Sequence, residues 1–379
     1  MLAAGCTHSV SVQSGHALDR FQEFYDNADD WVFGHLGYDL KNEIEALSSS
    51  NKDGLHFPDL FLFIPEILVQ LSTNQMTIGV AGDSHENIYK EIINTANTAG
   101  AHQDPHPVVI SRQYTKDEYV AKIEKLKQHI LKGDCYEINF CQEFYAENVT
   151  ISPLKLYQSL SESSPNPFSA YYKIDDKYLL CLSPERYLKK EGTHIISQPV
   201  KGTLKREKEQ DGPNIQKLQN DRKERAENIM IVDLVRNDLS RVCKKGSVKV
   251  DELCAVHLFP QVYQMVSTVS GELEEECKAK DAIRATFPMG SMTGAPKKRV
   301  MQLIEQYEDS RRGLFSGSIG YFTPGGDFDL NVVIRSVLYN ASEKYLSFPT
   351  GSAITFDSDP EAEYQECLLK AEAIINALA

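Results

Sequence analysis

Residues 168–200 read FSAYYKIDDKYLLCLSPERYLKKEGTHIISQPV, four strand-like runs in immediate succession: FSAYYKI, KYLLCLSP, RYLKKEG and THIISQPV. FSAYYKI and THIISQPV are rich in β-branched and aromatic residues, and KYLLCLSP is a continuous apolar run. Strands joined so closely can pair only in antiparallel fashion. Outward from this block the pattern continues as strands interrupted by single helices. To its N-terminal side, WVFGHLGYDL (31–40) reads as a strand and EILVQLSTNQMTIGVAG (66–82) as a hairpin, with polar loops at 48–56 and 95–113. Thr115 and Glu118 form a T-x-x-E capping box. Tyr119, Ile123, Leu126 and Ile130 give that helix an apolar face, and Gly133 ends it. CYEINFCQEF (135–144) alternates like a strand, and Ser152-Pro153 opens another helix with proline at its first position.

To the C-terminal side, 204–222 is charged and poorly patterned, which predicts a mobile loop or lid. A helix is expected over about 222–237, strands at 248–251 and 262–272, and helices near 281–286 and 297–308. Strands near 315–323, 328–339 and 350–356 precede a last helix near 360–378. Antiparallel strands broken by single helices predict an α+β architecture. No repeat or low-complexity linker divides the chain, so one domain over 1–379 is expected, with a strand-rich part (1–110) leading into 111–379.

The 379 residues carry 40 basic and 54 acidic side chains, a net charge of −14. That excludes a general nucleic-acid binder, which needs a basic stripe. Any anionic substrate must therefore be met by a local cluster of cations. No apolar run is long enough to span a bilayer. The eight cysteines include no C-x-x-C pair and read as small buried hydrophobes in a reducing cytoplasm. MLAAGC at the start mimics a lipoprotein box, but no basic and apolar signal precedes it.

Two helices carry glutamates at i, i+3: Glu224 and Glu227 in RKERAENIM, Glu363 and Glu366 in EAEYQEC. This spacing places both carboxylates of a pair on one face. Solvated helices use the same spacing. If the two faces meet, four carboxylates converge, and an all-oxygen set without His or Cys favours Mg²⁺ over zinc. QPVKGT (198–203) ends a strand with Lys201, a common solvated charge, followed by Gly202 and Thr203, which let backbone approach a ligand. MGSMTGAPKKR (289–299) is a glycine-rich turn entering a helix, an arrangement that offers N–H groups to an anion. Arg335 closes the apolar run LNVVI, and Lys370 lies one turn after Glu366, where it could simply be a salt-bridge partner.

In this order, GDCYEINFCQEF, SPERYL, QPVKGT, AENIMIVDLVRNDLSRV, FPMGSMTGAPKKRVM, SGSIGY, VVIRS and DSDPEAEYQE resemble the chorismate-binding enzymes. That family includes anthranilate synthase component I, aminodeoxychorismate synthase component I, isochorismate synthase and salicylate synthase. The resemblance runs from about Trp31 to the C-terminus. It implies two large twisted antiparallel sheets packed face to face, helices outside and the active site between the sheets. It further implies that Glu227 and Glu366 ligate Mg²⁺ directly, with Glu224 and Glu363 holding metal-bound water. Gly202, Thr203, Ser291, Arg335 and Lys370 match substrate contacts, Arg335 as a two-point grip on a carboxylate. Glu185 in SPERYL matches the general acid that protonates the departing 4-hydroxyl. Burial and neighbouring carboxylates are expected to raise its pKa.

The resemblance also separates reactions. Water-adding relatives carry a lysine base where this chain has Glu137. Anthranilate synthases read Pro-Ile-Ala-Gly-Thr where this chain reads Pro-Val-Lys-Gly-Thr, and lack of a Leu-Leu-Glu-Ser effector motif points the same way. Lysine there marks the aminodeoxychorismate synthases, in which its amine attacks carbon 2. Lys201 must then be neutral, and desolvation with nearby Mg²⁺ or Arg335 is expected to lower its pKa. The implied activity joins chorismate and ammonia into 4-amino-4-deoxychorismate, towards 4-aminobenzoate and folate. Anthranilate synthase component I is the alternative, and a non-catalytic chorismate-binding paralogue a further one. With no glutaminase in the chain, ammonia is expected from a separate glutamine amidotransferase, and a separate lyase would complete 4-aminobenzoate. Gln264 replaces a histidine of many relatives, Ser352-Ala353 part of a glycine run, and Phe315 a Tyr or Trp.

Overall fold

A computed structural model describes residues 1–82, 84–95 and 108–379. The expected strand block is present. Strands Phe168–Ile174 and Lys177–Ser183 begin a six-stranded sheet, followed in order by Ser336–Asn340, Tyr345–Ser347, Phe144–Ala146 and Ser111–Arg112. Arg186–Glu191 and His194–Gln198 belong to a second, ten-stranded sheet. Its order runs Val200–Lys205, Val262–Glu272, His194–Gln198, Arg186–Glu191, Phe328–Asn331, Ser318–Phe322, Val32–Leu36, Leu60–Ile64, His8–Val12, with Lys249–Leu258 also paired to Val262–Glu272. Neighbouring strands are antiparallel throughout both sheets.

The two large sheets share one apolar core. Leu179 and Cys181 of the smaller sheet and Val32, Leu36, Leu188 and Ile195 of the larger lie in a single buried cluster. Removing such side chains from water at roughly 25 cal/mol per Å² is the main force holding the layers together. Two buried polar groups within it are paired: Asn331 donates to the carbonyl of Phe168 at 2.9 Å, and His35 Nδ1 bonds the Tyr172 hydroxyl at 3.0 Å.

Two smaller sheets, one of them built on the expected hairpin, complete the frame. Gly294–Ala295, Glu137–Gln142 and Thr350–Ile354 form one. Its central strand is buried at every position because helices Lys116–Leu131 and Lys297–Tyr307 and the C-terminal helix Pro360–Leu378 cover it. The hairpin Ile67–Leu71/Met76–Val80 forms the other, with Leu2–Ala4 added at its edge. Helix Lys116–Leu131 starts on the expected capping box, with Thr115 and Glu118 bonded reciprocally, and buries Tyr119, Ile123 and Leu126.

Three sequence expectations require correction. The stretch 204–222 is not an unstructured lid: Asp211–Asn220 is helical, and buried Leu218 seats it on Tyr263 and Met265. The run 328–339 is not one strand but breaks at 332–335, where Arg335 takes a φ of +52°. The break lets the chain leave the ten-stranded sheet for the six-stranded one. Of the loop expected at 95–113, residues 96–107 lie outside those described, and Ser111–Arg112 form an edge strand.

Candidate active site

The predicted site residues converge. Glu185, Lys201, Gly202, Thr203, Glu224, Glu227, Ser291, Arg335, Glu366 and Lys370 all line one cavity of about 460 Å³. Glu363 does not line it, but is buried behind Lys223. The walls are the edge of the ten-stranded sheet, the small sheet around Glu137–Gln142, and helices Arg222–Leu239 and Pro360–Leu378. The site thus sits at one end of the large sheet and is not sandwiched between the two large ones.

Local geometry explains each placement. Lys201 lies where strand Val200–Lys205 bulges: Val200 pairs Val266 and Thr203 pairs Gln264, so three steps on one strand oppose two on the other. A bulge re-aims a side chain. Gly202 holds the bend at φ +83°, and a Cβ there would stand 3.1 Å from Glu224 Oε2. Glu185 and Arg335 occupy the two crossings between the large sheets, tied by Val332 N–H donating to Glu185 O and Leu182 N–H to Arg335 O. Helix Arg222–Leu239 starts at Asp221, whose carboxylate accepts from Glu224 N–H at 3.0 Å, and helix Pro360–Leu378 starts at Asp359 in the same way. These caps set which turn of each helix delivers its glutamate pair.

Glu185 is 3% exposed and accepts a 2.6 Å hydrogen bond from the Ser291 hydroxyl. Burial pushes its pKa up to about 7, against the lowering pull of Ser291, the Lys201 charge and the Val200 amide. Burial therefore acts as expected, whereas no neighbouring carboxylate contributes.

Lys201 departs from expectation. Its Nζ donates to Glu137 Oε1 at 3.1 Å and lies 3.9 Å from Glu227 Oε2, with its side chain 10% exposed. Burial alone pushes Lys201 down. The charges of Glu137 and Glu227, the hydrogen bond to Glu137 and the Glu185 charge outweigh it and hold the group above the ordinary lysine range. Those carboxylates keep Lys201 an ammonium at neutral pH, and Arg335 has no part in its shift.

The carboxylates are held by cations. Lys223 Nζ sits 3.0 Å from Glu363 and 3.9 Å from Glu227, and Lys370 lies 2.6 Å from Glu366 and donates to Gly351 O at 2.8 Å. Burial, opposed by Lys201, raises Glu227 to about 7; burial and then the Glu366 charge raise Glu224. Burial also pushes Glu366 up, but Lys370 outweighs it and the carboxyl is lowered. Among the described residues no three His, Cys, Asp or Glu groups already form a cation cage. Glu227 Oε1 and Glu363 Oε2 are nevertheless buried without a hydrogen-bond partner among those residues. Half-buried Arg335 makes no ion pair with another described residue, so its donors remain open to an anion; burial lowers its basicity and Glu366 counters that.

The glycine-rich turn lines the cavity at Ser291 and Met292. The N-terminus of helix Lys297–Tyr307 does not line the cavity. The turn supplies the Ser291 hydroxyl, and Gly294 lies so close to Glu137 O that a Cβ could not fit. Residues missed as partners are Glu137, Asn139 and Lys223. Glu137 and Asn139 alternate along one strand face, a period-two signal in CYEINF that could have found them. Asn139 donates to Ser291 O at 3.0 Å and so steadies the hydroxyl against Glu185. Lys223 carried no signal, because a lysine in a first helical turn is ordinary surface chemistry.

A family model described as "chorismate binding enzyme" matches residues 7–376. Aminodeoxychorismate synthase component 1 of Escherichia coli (strain K12) is 34% identical over 349 residues, covering 92% of this chain and 76% of that protein. Anthranilate synthase component 1 of Aquifex aeolicus is 32% identical over 367 residues, covering 92% and 74%. The crystal structure of anthranilate synthase component I from Streptococcus pneumoniae TIGR4 superposes with a TM-score of 0.87 at 27% identity, over 99% of this chain and 91% of that one. The chain belongs to the chorismate-binding enzymes, as one of the aminodeoxychorismate and anthranilate synthase type.

Proposed function

We propose that this enzyme converts chorismate and ammonia into 4-amino-4-deoxychorismate, using Mg²⁺. The observation that carries the reading is Lys201, projected by a bulge into the cavity between Glu137 and Glu227 and within electrostatic reach of Glu185. Arg335 supplies the grip for a substrate carboxylate. Glu227, Glu366, Glu224 and Glu363 would hold the metal. Their hard oxygen set and the orphaned buried oxygens of Glu227 and Glu363 fit such a cation. When bound, it supplies counter-charge for the glutamates, weakening their hold on the Lys201 proton, and a seat for the ring carboxylate.

Glu137 is placed to take the Lys201 proton at 3.1 Å. The neutral amine then bonds carbon 2, both ring double bonds shift one place towards carbon 4, and the carbon 4–oxygen bond breaks. The leaving oxygen takes the Glu185 proton and departs as water. Ammonia bonds carbon 4, both double bonds shift back, the carbon 2–nitrogen bond breaks, and Lys201 recovers its electron pair and then the proton held by Glu137. The surplus proton on the new ammonium returns to Glu185, so protons and charge balance. Glu185 near pKa 7 suits both directions of transfer.

The name component 1 given to relatives implies a second subunit, and we assign it the role of glutamine amidotransferase. Eight free cysteines, most of them buried, suit a reducing cytoplasm. No helix among the described residues is long and apolar enough to cross a membrane.

Anthranilate synthesis is the second reading, favoured by the anthranilate synthase structure that superposes over 99% of this chain. Product analysis with chorismate, Mg²⁺ and ammonium salt decides. 4-Amino-4-deoxychorismate supports the first reading; anthranilate overturns it and leaves the family assignment standing.

A further inference from the structure

Beside the main cavity lies a smaller one of about 60 Å³. Its outer rim is formed by exposed Ser163 and Ala373 with half-exposed Ser164 and Asn166, from the end of helix Pro153–Ser163 and from helix Pro360–Leu378. Its inner end shares Gln264 and Arg335 with the main cavity. There is room for a few water-sized molecules but not for a cyclohexadiene dicarboxylate. At the junction Gln264 is 3% exposed, and its Oε1 is buried without a partner among the described residues. A buried acceptor left unpaired is unfavourable unless a ligand completes it.

The remaining polar groups narrow the ligand. Ser163 spends its hydroxyl proton on Leu160 O and Asn166 its amide on Ser164, at 2.9 Å each. What those two side chains leave open on the rim is oxygen lone pairs. A nucleophilic amine needs acceptors for its N–H bonds, which Gln264 and the rim oxygens offer. Arg335 and Lys370 at the inner end repel an ammonium ion and leave the neutral form the favoured entrant.

We propose that this side cavity is the entry and waiting site for ammonia, with Gln264 Oε1 as the acceptor that orients it towards the main cavity. The inference rests on the aminating reaction proposed above. It is tested on the full chain with chorismate, magnesium chloride and ammonium chloride at fixed pH. Gln264→Leu should raise the ammonia KM roughly three- to tenfold, the loss of one hydrogen bond, while the chorismate KM moves less than about twofold. Ala373→Trp, at an exposed helix position that tolerates substitution, should obstruct the rim and lower kcat/KM for ammonia to a similar degree, again without moving the chorismate KM. An ammonia KM unmoved by Gln264→Leu together with an unmoved kcat/KM for ammonia in Ala373→Trp overturns the site. So does a chorismate KM that rises in step with that for ammonia in Gln264→Leu. A wild type that makes no amino product overturns the proposed function itself, a result distinct from both.

Discussion

Replacing Lys201 by alanine removes one cation from between two buried carboxylates. Glu137 is 1% exposed, and its Oε2 already lacks a partner. Breaking a buried pair from one side costs about 3–5 kcal/mol, because the remaining charge stays desolvated. Glu227, poised near 7, can relieve part of this by taking a proton, so the lower end, about 3 kcal/mol, is expected. The wild-type contribution has a defined pH window. A lysine whose folded pKa is raised stabilises fully below its unfolded value, and that stability is lost only as pH rises through the folded value. The titration of the lysine itself therefore adds no pH dependence from pH 6 to 9. In the variant the unpaired carboxylates favour protonation, so its deficit should narrow as pH falls. Activity should drop about a thousandfold if the nucleophile lowers the barrier by ~4 kcal/mol. Intact-mass measurement with chorismate and Mg²⁺ but no ammonia should show an adduct on the SQPVKGT peptide in wild type and none in the variant. Adding Glu137→Gln to Lys201→Ala separates structure from chemistry: thermal stability should recover in part, activity should not. An unchanged rate and product for Lys201→Ala, or activity returning with stability in the double variant, refutes the nucleophile.

Three further outcomes are expected. At constant free ammonia, kcat/KM for chorismate should fall as pH rises through about 7, where Glu185 loses its proton, and Glu185→Gln should be slow and lack this limb; a wild-type profile flat from 6 to 8 would remove Glu185 as the acid. Glu227→Gln or Glu366→Gln should abolish Mg²⁺-dependent turnover with little change in melting temperature, and half-saturating Mg²⁺ for wild type should rise below about pH 7 as Glu227 takes a proton; full activity in chelator-treated buffer would end the metal assignment. Gly202→Ala meets both a φ of +83° and Glu224 Oε2 at 3.1 Å, so it should lose roughly 1–2 kcal/mol of stability and at least tenfold in kcat/KM, read by thermal melting and chorismate consumption.

Periodicity and caps in the sequence determined the α+β class, most elements and the two glutamate pairs. Thr115 with Glu118, Pro153, and the i, i+3 spacing of Glu224/Glu227 and Glu363/Glu366 act within a turn or two, and local sterics make such signals readable. Motif order carried the family and the candidate list. Tertiary structure alone decided how these parts act. Asp211–Asn220 is helical because Leu218 finds Tyr263 and Met265 across the sheet, which a charged stretch does not announce. The turn at Arg335 follows from the chain changing sheets, and the small sheet from Glu137–Gln142 meeting Thr350–Ile354 more than two hundred residues away. The protonation of Lys201 is the clearest case. Desolvation, foreseeable for any buried lysine, is outweighed by Glu137 and Glu227, brought from 64 and 26 residues away. A pKa is set by what surrounds a group in space, and those neighbours exist only once the sheets and helices have packed.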